Sequence, residues 1–271
     1  MKSKEYSKRL LVAAGKKARL KGNYVEPDGR PEKDGSKKEL EKNIEKMYGL
    51  QHVMHAENKH AVLIVLQGMD TAGKDSTIQH VMRGMNPQGC RVTSFKAPTP
   101  EELEHDFLWR IEAAVPRTGE FGIFNRSHYE DVIMPKVHKT LPAAVIEKRY
   151  EQINKFEKTL SENGTTILKF FLHISREEQK KRLLERINDP TKNWKMNPAD
   201  LKERALWDRY MEAYEEALNK CSKSHAPWYV IPSEHKWLRN LAVSQIIVDK
   251  LESLDMKYPK AKYTKKDLII D

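Results

Sequence analysis

A nearly unbroken aliphatic run, Val62–Gln67, opens directly onto Gly68-Met69-Asp70-Thr71-Ala72-Gly73-Lys74-Asp75, a loop of the form G-x-x-x-x-G-K. Strand, glycine bend and helix in that order confine the chain to a small set of α/β folds. The two glycines let the backbone curl until successive N–H groups point inward, the following helix starts at the bend with the positive end of its dipole, and Lys74 adds a full charge. Gly68, Met69, Thr71, Ala72, Gly73, Asp75 and Ser76 are therefore the candidate phosphate-binding positions. Asp75 stands where Ser or Thr is usual, so the hydroxyl that normally holds Mg²⁺ is missing there. Asp70 then either coordinates Mg²⁺ or orients an incoming oxygen nucleophile, and Ser76 offers a displaced hydroxyl.

Four further apolar runs follow: Val92–Phe95, Gly122–Phe124, Thr166–Ile174 and Trp228–Ile231. They are continuous rather than alternating, which predicts strands buried on both faces, and the spacing between them leaves room for helices. The expected architecture is a five-stranded parallel sheet covered on both sides. Residues 1–40, with Pro27, Gly29, Pro31 and Gly35, read as an N-terminal arm with little regular structure; a helix from Lys38 to about Lys59 leads into the first strand. Residues 41–255 then form the main domain, with an insert at about 176–210 as a helical lid, and 256–271 form a basic C-terminal tail. The stretch from Arg176 to His225 is helical in pattern but broken at Asp189-Pro190 and Asn197-Pro198, which suggests a helix–turn–helix flap.

A second cluster, Phe124-Asn125-Arg126-Ser127-His128-Tyr129-Glu130-Asp131, follows the third run and should face the bend, because open parallel sheets bind ligands at the carboxyl ends of their strands. Arg126 offers a planar fork to phosphate, while Glu130 and Asp131 offer hard oxygens to Mg²⁺ alongside Asp70. Asn125 and Tyr129 are candidates for nucleotide contact. His128 is read as a packing residue. Within the flap, Lys180–Lys195 holds six basic residues against two acidic ones, and Arg182 and Arg186 share a helix face. A mobile basic cover of this kind would offset transition-state charge and exclude water. Trp207, Tyr210 and Tyr214 have the spacing of a packing stripe.

The chain has 49 Lys and Arg against 39 Asp and Glu, a formal charge of +10, which implies a polyanionic partner. The only two cysteines, Cys90 and Cys221, carry no disulfide or metal pattern and point to a reducing cytoplasm. The longest purely aliphatic stretch, Ala61 to Leu66, is far short of the ~20 residues of a membrane helix, so no membrane partner is expected. Two rivals share some of these features: an ATP-dependent nucleoside monophosphate kinase, and a basic nucleic-acid-binding module. The missing hydroxyl at position 75 and the cation surplus argue against the first, and the lack of aromatic-basic interleaving against the second.

Several separated blocks together resemble the polyphosphate kinase 2 family, closest to its class III: the loop Gly68–Asp75, Phe124–Asp131 with Val132, Thr165–Ser175, Trp207-Asp208-Arg209-Tyr210 and Ala226-Pro227-Trp228-Tyr229-Val230-Ile231. The likeness covers roughly residues 25–255. It implies a P-loop kinase-like three-layer sandwich of the thymidylate-kinase type with a helical lid. It also implies transfer of the terminal phosphate of inorganic polyphosphate to AMP or ADP, giving ADP and ATP, with Mg²⁺ as cofactor. By the same resemblance Asp70, Lys74, Arg126 and Arg182 are the catalytic candidates, with Arg186 on the lid, and the chain is a homo-oligomer, dimer or tetramer. Nucleic acid is not an expected partner.

Overall fold

Apolar runs that continue without alternation become interior strands, and the computed structural model, which describes residues 4–15, 17–20 and 32–263, places them so. Strand β1 (Ala61–Gln67) is buried at every position and lies in the centre of an all-parallel sheet of order β2-β3-β1-β4-β5, with β2 at Cys90–Ser94, β3 at Phe121–Asn125, β4 at Thr165–His173 and β5 at Trp228–Pro232. Leu66 of β1 is in register with Asn125 of β3, so the loops leaving these strands emerge side by side at the carboxyl edge.

Helices cover the sheet in two packed groups. Helix α1 (Lys4–Arg9), α2 (Lys33–Glu57) and α3 (Lys74–Val81) pack on α11 (Lys236–Glu252). On the other side α6 (Glu130–His138), α7 (Ala143–Glu162) and α10 (Trp207–Cys221) pack on one another. Short helices α4 (Pro100–Leu103) and α5 (Trp109–Glu112) link β2 to β3, and α8 (Arg176–Asn188) and α9 (Pro198–Ala205) link β4 to α10. Helix α4 begins at Pro100 behind Thr99, whose side chain and that of Glu102 form a reciprocal cap.

Three expectations change. The run around Val92 was expected to be buried on both faces, yet β2 is the exposed edge of the sheet and Val92 is 49% exposed, because only β3 pairs with it. The expected irregular arm contains α1 and the first turns of α2, and between them Leu11 pairs antiparallel with Tyr229, covering the far edge of β5. The Pro27–Pro31 stretch and residues 264–271 of the expected tail lie outside the described residues. Finally, the flap is shorter than its helical pattern: α10 buries Trp207, Tyr210, Met211 and Tyr214 against the core, leaving α8 and α9 as the projecting part. The packing stripe is therefore real. No described helix is long and apolar enough to cross a membrane.

Candidate functional site

The bend after β1 needs its glycines. Gly68 has φ +153°, and a Cβ there would lie 2.7 Å from the Leu172 carbonyl; Gly73 has φ +108°, and a Cβ there would strike the Arg239 guanidinium. Thr71 also adopts a left-handed conformation, φ +65°, which is costly for a β-branched residue and persists only where the surroundings over-determine it.

Those surroundings are a set of donors aimed at the loop's carbonyls. Lys74 Nζ donates to the oxygens of Gly68 (2.7 Å) and Met69 (3.3 Å), and Gln179 Nε2 to that of Asp70 (3.1 Å). Arg182 Nη1 donates to Thr71 (2.9 Å) and Ala72 (3.4 Å), Arg239 Nη1 to Ala72 (3.4 Å), and the Thr77 hydroxyl to Gly73 (2.9 Å). Every carbonyl from 68 to 73 thus has a donor from the protein.

Arg126 ends β3 in a left-handed conformation, φ +63°, and spans two carboxylates: Nη2 donates to Asp70 Oδ1 (2.9 Å) and Nη1 to Glu130 Oε2 (3.3 Å). Burial opposes its charge, but Glu130 and Asp70 outweigh it and raise its pKa. The Gln67 amide, turned to donate to Glu130 Oε1 (3.0 Å), accepts from Ser127 and steadies the segment. Lys74 is fully enclosed, and burial, with Arg126 nearby, lowers its pKa to about 8 against the pull of Asp70, Glu130 and Asp75. Asn125 Nδ2 donates to Asp75 Oδ1 (2.6 Å), joining the two loops. The structure therefore brings Asp70, Lys74, Asp75, Asn125, Arg126 and Glu130 together, with Gly68, Met69, Thr71, Ala72 and Gly73 as the backbone cradle.

Other expected site residues lie elsewhere. Tyr129 does not face the phosphates: it is fully buried and its hydroxyl donates to Glu157 (2.9 Å). Asp131 turns to Arg110 (3.4 Å) instead of joining Asp70 and Glu130, and burial raises its pKa despite that partner. Arg182 is not a free lid cation. Besides the loop it donates to the carbonyls of Ser233 (2.7 Å) and Glu234 (2.8 Å) and to Glu178 (2.8 Å), so it bolts α8 beneath the bend. Arg186 is tied to Asp200 (3.3 Å) and the Lys195 carbonyl, and Ser76 accepts from Arg239 (3.0 Å). Five other flap cations, Arg176, Lys180, Lys181, Lys192 and Arg204, line an open groove of about 1000 Å³ beside α8 together with Glu177, Glu185 and Asp189.

Sequence reading missed Gln179 and Arg239, which hold the loop. Arg239 left a signal, a lone cation among the apolar positions of Leu238–Val248. Among the described residues no group of three or more His, Cys, Asp or Glu side chains is arranged to hold a metal ion. The carboxylates gathered at the bend are Asp70, Asp75 and Glu130, with Arg126 between Asp70 and Glu130 and Asn125 on Asp75.

The family model for polyphosphate kinase 2 matches residues 30–259. A relative from Meiothermus ruber, the AMP/ADP-polyphosphate phosphotransferase, is 51% identical over 232 residues, covering 86% of both chains. An ADP-polyphosphate phosphotransferase from Rhodopseudomonas palustris is 47% identical over 233 residues, covering 82% of this chain and 81% of the relative. The crystal structure of polyphosphate kinase 2 from Arthrobacter aurescens superposes with a TM-score of 0.93 at 43% identity, covering 97% of this chain and 94% of that one. On the phosphate bend, the paired strand-end loops and these likenesses together, the chain belongs to the polyphosphate kinase 2 family.

Proposed function

We propose that this chain is a kinase that moves the terminal phosphoryl group of inorganic polyphosphate onto AMP and ADP, giving ADP and ATP. One observation carries the reading at the level of atoms: all six loop carbonyls are held by protein donors, which fixes the bend, and the cations Lys74 and Arg126 meet beside it with Asp70 and Glu130, where an anion and its counter-ion can exchange for these contacts. Family membership supports polyphosphate as the donor, and the named activities of the Meiothermus ruber and Rhodopseudomonas palustris relatives support adenine nucleotides as acceptors.

Lys74 and Arg126 hold donor and acceptor phosphates close together and in line. An oxygen of the acceptor phosphate attacks the terminal phosphorus, and the bond to the rest of the polyphosphate breaks. No covalent enzyme intermediate forms. Asp70 and Glu130 suit Mg²⁺, which takes one or two carboxylates and completes its shell with phosphate oxygens and water. When bound, the metal supplies neutralising charge on those phosphate oxygens. Arg182 serves as a positioning residue for the bend and not as a transition-state cation.

The groove beside α8, with five cations against three carboxylates, is assigned to the untransferred length of a long polyanion, and the surplus charge to that use and not to nucleic acid. Two free cysteines support a reducing cytoplasm, and a homo-oligomer, dimer or tetramer, is the assembly expected of the chain. Incubation of the pure protein with AMP, Mg²⁺ and long-chain polyphosphate, followed by chromatography, should yield ADP and then ATP. Activity with ATP as phosphoryl donor and none with polyphosphate would overturn the reading in favour of an ordinary nucleoside monophosphate kinase.

A further inference from the structure

Beneath the site, between the sheet and the helices α6, α7 and α10, four polar side chains meet with no exposure to solvent. Lys169 on β4 donates to Glu157 Oε2 (2.5 Å), to the Tyr129 hydroxyl (2.8 Å) and to the Cys221 carbonyl (2.8 Å). Glu157 on α7 accepts on its other oxygen from Tyr129 (2.9 Å) and from His128 Nε2 (3.2 Å). The ammonium also lies 5.2 Å from the Tyr129 ring centre and 5.3 Å from that of Trp228. Burial opposes the charge on Glu157, but Lys169 and His128 outweigh it and lower its pKa.

A buried ion pair is a poor way to stabilise a core, since apolar residues of like volume commonly do as well or better. What it does supply is direction. Three residues, Ser127, His128 and Tyr129, lie between the fork Arg126 and the carboxylate Glu130. With the His128 and Tyr129 side chains fixed to one carboxylate, the segment cannot rotate, and Arg126 is kept in its left-handed conformation with its guanidinium toward Asp70. The Cys221 carbonyl ends α10, so Lys169 also holds this helix in place as a cation at its C-terminus.

We propose that Glu157 and Lys169 are positioning residues for phosphoryl transfer, acting through His128 and Tyr129 to set Arg126 and Glu130 against the loop. This rests on the reading of Arg126 as a phosphate-binding group. The test compares wild type, Glu157→Gln, Arg126→Lys and the double variant in steady-state kinetics with AMP, Mg²⁺ and long-chain polyphosphate, each well below its own Tm. Glu157→Gln should lower kcat roughly 10- to 100-fold, the range seen when an orienting partner is lost, while KM for either substrate stays within about threefold. In the Arg126→Lys background the same change should cost less than about threefold, because both act on one group.

A Glu157→Gln enzyme with wild-type kcat and only a lowered Tm, or equal losses in both backgrounds, would overturn the proposal. Should Glu157→Gln not fold, Tyr129→Phe, which removes only the hydroxyl shared by the pair, carries the same expectation, and wild-type kcat there overturns it. Wild-type kcat for Arg126→Lys alone would instead overturn the assignment of Arg126 on which the proposal stands.

Discussion

Lys74 must keep its proton in a place that works against it. Burial and Arg126 bring its pKa down to about 8, so below that pH it is a cation ready for phosphate and above it a neutral amine. The apparent kcat/KM for polyphosphate should fall as pH rises through about 8, while kcat should hold to higher pH because a bound polyanion retains the proton. A pH profile of both constants checks this, and Lys74→Arg should remove the fall in kcat/KM by staying charged. For stability the sign is opposite: the folded state binds fewer protons than the unfolded between about pH 8 and 10.5, so Lys74 destabilises the fold below that window and the penalty fades as pH rises through it. Lys74→Ala should lower kcat by about 10²- to 10³-fold, the scale for removal of one preorganised charge-stabilising donor. The carboxylates separate in the same way. Asp70→Asn should raise the Mg²⁺ needed for half-maximal rate about tenfold or more, whereas Asp131→Asn, whose carboxylate is engaged by Arg110, should leave it nearly unchanged. A metal titration of each variant decides.

Elements carry information that single residues hide. The flap was expected to be a mobile cover, but Gln179 and Arg182 tie α8 to the carbonyl side of the bend, so this helix is part of the cradle's support. Arg182→Met leaves the Thr71, Ser233 and Glu234 carbonyls short of a donor in a buried setting. It should cost about 2–4 kcal/mol of stability and lower Tm by roughly 5–10 °C, read from calorimetry. Arg182→Lys should not rescue it, since one ammonium cannot span three carbonyls as a planar fork does. The breaks at Pro190 and Pro198 were readable in the sequence because proline ends helices locally, and α9 does start at Pro198. The spacing of Trp207, Tyr210 and Tyr214 did mark the buried stripe of α10, but that β2 is the edge was not readable, because a run of apolar residues does not say which neighbours cover it.

For the whole molecule, one titration belongs to the fold and not to the chemistry. Burial lowers His173, at the end of β4, to about 4, so the folded state holds fewer protons than the unfolded between about pH 4 and 6.5. Its neutral form contributes stability at pH 7 that is lost as pH falls through that window, about 2–3 kcal/mol once partial exposure is allowed for. Urea midpoints for wild type and His173→Asn at neutral and acid pH should converge as pH falls. Local order along the chain settled the essentials of this protein: an aliphatic strand, a G-x-x-x-x-G-K bend and a helix dictate a parallel sheet with a phosphate loop, and Asp70, Lys74, Arg126 and Glu130 were identifiable because short motifs place them at strand ends. Only the folded structure decided which of these charges gather at the bend. Tyr129, Arg182 and Arg186 sit within reach in sequence but spend their polar atoms on Glu157, the loop carbonyls and Asp200, while Arg239 arrives from far along the chain. The physical reason is that a polar side chain bonds to whatever its burial brings near, and burial is set by long-range packing that no local pattern encodes.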